Sequence, residues 1–92
     1  MPGHYYVYVL RSAKDHNFYV GFARDLPERL EEHHGGKVFS TKNRRPLILV
    51  YWEGCLNQKD ATLRETYLKT SWGKRYIKNR IKHYLTGSIP TS

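Results

Sequence analysis

The chain predicts an α+β fold: a three-stranded, mainly antiparallel sheet flanked by helices, in the order β-β-α-β-α-α. Three observations lead there. Two aromatic and β-branched runs, YYVYVL at 5–10 and FYVGFA at 18–23, stand a few polar residues apart. A third apolar run of strand length, LILVYWE at 47–53, follows only after a long interval. The remaining segments carry helical caps and periodicity rather than further strands. A doubly wound α/β plan finds no support, because the chain has no glycine-rich phosphate loop, no Walker lysine motif and no HExxH.

Taken in order, 5–10 and 18–23 should form a hairpin across the polar connection SAKDHN. If its loop centres near residues 13 and 14, Tyr8 lies opposite Tyr19, and opposed residues project from one face. Asp25 then caps a helix, with Glu28 three residues on and Pro27 tolerated in the first turn. That helix runs through ERLEEHH and stops at Gly35-Gly36. KVFSTKNRRP at 37–46 is a cationic loop. The run 47–53, between Pro46 and Gly54, reads as a buried central strand. Asn57 caps a helix reaching about Lys69. A last helix begins near Ser71 or Gly73 and ends at Gly87, with Tyr76, Ile77, Ile81, Tyr84 and Leu85 marking its core face. Trp72 and Tyr76 are expected in the core. Residues 1–3 and 87–92 read as frayed ends.

Ninety-two residues without a repeat, a low-complexity tract or a linker are expected to make one domain, 1–92. Sixteen Lys and Arg against eight Asp and Glu give a net charge of +8, which on so small a domain favours polyanions. Nucleic acid is the leading partner, since each neutralised phosphate releases counterions. No apolar run approaches the ~20 residues that span a bilayer, and the N-terminus has no signal-peptide pattern, so no membrane partner is expected. Cys55 is the single cysteine. It allows no internal disulfide and no zinc-finger site, fits a reducing cytoplasm, and reads as a packing residue.

By spacing alone, the residues that matter most have ordinary readings. Tyr8 and Tyr19 are sheet aromatics. Arg29 and His33 share one helix face beside Glu28, Glu31 and Glu32, and Glu65 is placed to pair with Lys69. Gly21 relieves crowding in a strand or lets a ligand approach the backbone. Their order along the chain changes this reading. Tyr6-Val7-Tyr8, then Tyr19-Val20-Gly21 after ten residues, resembles the paired tripeptides of the GIY-YIG nucleases. Tyr19-Val20-Gly21-Phe22-Ala23-Arg24-Asp25, leading to Arg29 and His33, is similar to the continuation of that motif. Ala61-Thr62-Leu63-Arg64-Glu65, with Leu68-Lys69, resembles the family's glutamate-bearing helix. The likeness spans roughly residues 5–85, and it is greatest to the small stand-alone bacterial members.

The resemblance implies a metal-dependent phosphodiesterase. It assigns Tyr8 as general base, Tyr19 as the residue orienting the water or metal shell, Arg29 as the phosphate clamp and Glu65 as the metal ligand. His33 either contacts phosphate or assists proton transfer, and Gly21 is structural. The chemistry suits these types. One carboxylate can serve a Mg²⁺ (or Mn²⁺) ion that keeps its waters, one ion per site. Arginine grips phosphate in bidentate fashion and offsets developing charge. Tyrosine becomes a base if its pKa falls from about 10.

For the binding surface, residues 66–92 contain no acidic side chain. Lys69, Lys74, Arg75 and Lys78 lie there, and Asn79 is a possible phosphate contact at the site edge. Lys37, Lys42, Arg44 and Arg45 in the loop and Arg24 after the second strand add to the basic face. Nothing specifies a base sequence, so recognition of shape, single strands or branches is expected. The sequence therefore supports an endonuclease on nucleic acid, DNA favoured over RNA, in repair or processing. The alternative is a non-catalytic nucleic-acid-binding module on the same fold, motivated by a first tripeptide that lacks the family's glycine. Monomer and homodimer both stand.

Overall fold

The computed structural model describes residues 4–87, so the expected fraying of 1–3 and 88–92 falls outside the described residues. Strand β1 (Tyr5–Ser12) pairs antiparallel with both β2 (Phe18–Ala23) and β3 (Leu47–Cys55), giving the order β2-β1-β3. Helix α1 (Leu26–His34) covers one face of the sheet. Helices α2 (Gln58–Leu68) and α3 (Ser71–Arg80) cover the other, and a short α4 (Lys82–Leu85) follows. The predicted α+β plan and element order are those of the molecule.

The alternation of β1 builds both layers. Val7 and Val9 join Val20 and Phe18 against Ala61, Leu68 and Ile77 of α2 and α3. Tyr8 and Leu10 point the other way, with Ala23 and Leu47, onto Leu26 of α1. The helix caps are those expected. Asp25 accepts from the Glu28 amide at 3.1 Å, and Asn57 accepts from the Lys59 and Asp60 amides at 2.8 and 3.2 Å.

Four expectations are corrected. Tyr8 pairs with Gly21 and Leu10 with Tyr19, so Tyr8 and Tyr19 are two positions apart rather than opposed. The Ser12 hydroxyl accepts from the Lys14 and Asp15 amides, and His16 closes the turn in the left-handed region (φ 64°). The turn is therefore centred one residue later than expected. A two-position offset preserves the face, so both tyrosines still project from the same side.

The run 47–53 is an edge strand, not a buried central one. A bulge leaves Val50 unpaired between Val9–Tyr51 and Leu10–Leu49. Leu47 and Leu49 therefore pack toward α1, whereas Val50, Tyr51 and Cys55 pack toward α2 and α3. The unbroken apolar run reflects this change of face. Ile48 and Trp52 remain exposed.

The last helix breaks at Ile81 (φ −116°, ψ 29°) instead of running on to Gly87. Ile77, Ile81 and Leu85 do face the core. Trp72, Tyr76 and Tyr84, expected inside, are exposed. The Arg75 guanidinium lies 5.0 Å from the Trp72 ring centre and that of Arg64 4.8 Å from Tyr76, so these two rings lie beside cations rather than in the core.

Candidate active site

The side chains singled out by sequence converge from four elements. Tyr8 comes from β1, Tyr19 from β2, Arg29 and His33 from α1 and Glu65 from α2. The ring of Tyr8 lies over the Cα of Gly21, where any Cβ would overlap its ring and hydroxyl. Gly21 is thus the residue that lets this phenol lie flat on the edge strand. The Tyr8 ring centre is 6.4 Å from that of Tyr19, and both stand edge-on to His33 at 5.5 and 5.3 Å.

Tyr8 and His33 are fully buried and joined by a 2.7 Å contact between the phenol oxygen and Nε2. The other ring nitrogen, Nδ1, is 2.8 Å from the buried Thr41 hydroxyl. With both nitrogens engaged and no exposure, His33 has no direct route to a phosphate. Proton transfer with Tyr8 is the role its position allows. Burial, then the positive charge of Arg29, hold its pKa down at about 4, so it is neutral near pH 7.

Tyr8 departs from the expectation that its pKa falls. Burial dominates and pushes it up to about 12, reinforced by Tyr19 and Glu65, while Arg29 acts in the lowering direction. The Glu65 carboxylate is therefore close enough to act on the phenol electrostatically. It is also half-buried and ion-paired to Lys69 at 3.0 Å, the i, i+4 contact read from spacing. Arg29 pairs with Glu32 at 2.9 Å, and its pKa is raised, by Glu32 first and then by Tyr8. Its Nε is buried with no acceptor among the described residues. A buried guanidinium donor left without a partner carries a desolvation cost that an incoming anion would relieve.

Among the described residues no three His, Cys, Asp or Glu side chains gather into a metal cage. A single half-buried carboxylate within electrostatic reach of the Tyr8 phenol suits a hard divalent ion that retains water and shares the substrate's phosphate oxygens. Glu65 would hold such an ion.

The basic residues divide by environment. Arg24 lies over the Tyr5 ring at 5.0 Å and lines, with Arg29, a cavity of ≈350 Å³ beside the site. Lys42 sits over Phe39, Arg45 bonds the Lys42 and His34 carbonyls, and Arg44 is held by Asp15 at 2.8 Å. Arg75 is engaged with Trp72, and Lys37, Lys74, Lys78 and Asn79 are exposed. Sequence reasoning missed Thr41. Eight residues beyond His33 in an irregular loop, it follows no helical or strand period. It also missed the bidentate Glu53–Arg64 pair (2.8 and 3.2 Å), whose partners lie on different elements.

The fold and this cluster define a GIY-YIG nuclease-type domain, and the chain belongs to that family: residues 4–80 match the GIY-YIG catalytic domain. Its relatives include the UPF0213 protein of Staphylococcus haemolyticus, 37% identical over 72% of this chain and 80% of that one. The UPF0213 protein of Staphylococcus saprophyticus is 35% identical over 80% and 90%. The solution structure of a UPF0213 protein from Bacillus halodurans superposes with a TM-score of 0.59 at 25% identity, covering 97% of this chain and 98% of that one. The family implies a nucleic-acid substrate. No helix among the described residues is long and apolar enough to cross a membrane.

Proposed function

We propose that the chain is a divalent-metal-dependent endonuclease that hydrolyses phosphodiester bonds, with DNA favoured over RNA, acting in the cytoplasm in repair or processing as a single catalytic domain. The observation that carries the reading is the gathering of Tyr19, Arg29 and His33 about Tyr8, itself packed on Gly21 and within electrostatic reach of Glu65, with the Arg29 Nε buried and without an acceptor among the described residues. Arg29 exchanges Glu32 for the scissile phosphate and stabilises its developing charge. Tyr8 takes a proton from the attacking water while passing its own to His33 Nε2, 2.7 Å away. Thr41 holds the imidazole in line for that transfer. Burial is the main cause of the low His33 pKa, and phosphate on Arg29 offsets the positive charge that adds to it, making His33 a better acceptor once substrate is bound. Tyr19 flanks the pair and orders the water. Mg²⁺ (or Mn²⁺) at Glu65 would supply charge to activate the nucleophile and the leaving oxygen.

A second reading, a nucleic-acid-binding module without turnover, is favoured by the raised pKa of Tyr8 and by the Lys69 pairing of Glu65. Cleavage of labelled nicked, branched and single-stranded DNA in Mg²⁺, Mn²⁺ and EDTA separates the two. The nuclease reading expects metal-dependent cleavage that falls by about 10²-fold or more in Tyr8→Phe and Glu65→Ala. Salt-sensitive binding without any cleavage by the wild type would leave the binding module.

A further inference from the structure

Beyond the catalytic cluster, a groove separates the β1–β2 hairpin from α3 and α4. It consists of two cavities, ≈380 and ≈280 Å³, that share His16, Phe18 and Lys78 in their walls. Lys74 and Arg44 border the larger, and Lys82 borders the smaller. Arg44 is neutralised by Asp15, which also borders the larger cavity, through contacts of 2.8 and 3.3 Å. Lys74, Lys78 and Lys82 make no ion pair among the described residues, so the groove keeps a positive charge. Lys74 and Lys78 stand four apart on α3, a step of ~6 Å, and Lys82 follows at the start of α4 beyond the break at Ile81. Phe18 belongs to the core and shows the groove only its edge, whereas the left-handed backbone of His16 sets an exposed imidazole at the rim. A line of cations beside aromatic surface is how single-stranded nucleic acid is held without sequence readout. Phe18 lies three residues before Gly21 on the edge strand β2, roughly 10 Å along the backbone at ~3.3 Å per residue, and faces α2 and α3 rather than α1, so a strand joining the groove to the catalytic cluster passes round the β2 edge.

We propose that this groove holds two consecutive nucleotides of a single strand leaving the cleavage site along the β2 edge, phosphates on the lysines and a base against the exposed imidazole of His16. The inference rests on the nucleic-acid reading above and narrows its substrate to one with a single-stranded flank.

Binding measured in EDTA tests the groove independently of cleavage. Fluorescence anisotropy with a labelled single-stranded oligonucleotide should show Lys78→Ala weakening affinity about 5-fold at 0.1 M salt, and Lys74→Ala/Lys78→Ala about 25-fold, the salt slope falling by ~0.7 per lost phosphate contact. A blunt duplex of equal length should lose less. Lys59→Ala, outside the groove, controls for bulk charge. His16→Gly keeps the turn, since glycine adopts φ 64° freely, and should weaken single-strand binding without changing the salt slope. Groove variants no worse than Lys59→Ala, or equal losses for duplex and single strand, would overturn the proposal and leave the nuclease reading standing. Groove-dependent binding by a wild type that cleaves nothing would do the reverse.

Discussion

Replacing Gly21 by alanine tests the geometry on which the site depends. The added Cβ would overlap the ring and hydroxyl of Tyr8 and lie 2.9 Å from its Cε1. Tyr8 is fully buried, so its ring has no free space to enter, and any shift draws the phenol away from His33 Nε2, now at 2.7 Å. Overpacking of this kind costs ~1–3 kcal/mol. The lost hydrogen bond adds ~1 kcal/mol. Removing a strand glycine returns ~0.5–1 kcal/mol. The balance is a destabilisation of about 1–3 kcal/mol, which for a domain of this size lowers Tm by at least about 4 °C at ~4–8 °C per kcal/mol. Thermal unfolding followed by circular dichroism measures it. A cycle with Tyr8→Phe locates the cause: one hydrogen bond cannot be lost twice, so the double variant should cost less than the sum, by about 0.5 kcal/mol or more. A Gly21→Ala protein that melts at or above the wild-type temperature, or strictly additive costs, would refute the argument.

Two further predictions concern stability. His33 titrates near 4 in the folded chain against 6.5 in the unfolded one. The unfolded chain thus binds more protons in that window, and the stabilisation, complete above pH 6.5, is lost as pH falls toward 4. At ~1.36 kcal/mol per unit the loss is on the order of 3 kcal/mol. Urea midpoints at pH 7, 5.5 and 4 should fall in that order, and equal midpoints would contradict it. Asn57→Ala removes the acceptor for two amides at the start of α2 and should cost ~1 kcal/mol in urea unfolding, with m unchanged. A cost below a few tenths of a kcal/mol would mean that water satisfies those amides equally well.

The cap residues Asp25 and Asn57 and the glycines after His34 carry their instruction within one helical turn, so α1 and α2 were legible to within a residue. Tyr8 and Tyr19 were correctly placed on one face despite the two-position error in register, because side-chain direction along a strand depends only on parity. The edge position of β3 was not legible. A continuous apolar run describes both a strand buried on two faces and a bulged strand that changes face, and only pairing with β1 separates them. The exposure of Trp72 and Tyr76 was missed for a related reason: helical period marks a stripe but not its width, and arginines lie beside rings that the core does not reach.

The sequence by itself determined the α+β plan, the strand and helix segments, the excess of positive charge and the order of motif residues that places the chain in its family. These are properties of composition, local backbone preference and spacing. Tertiary structure decided the rest. It set Tyr8 against the bare Cα of Gly21, buried His33 between Tyr8 and Thr41, left the Arg29 Nε without an acceptor among the described residues, and raised the Tyr8 pKa where a fall was expected. Each of these depends on distances between segments far apart in the chain and on the water that their packing excludes, and neither quantity is encoded in local spacing.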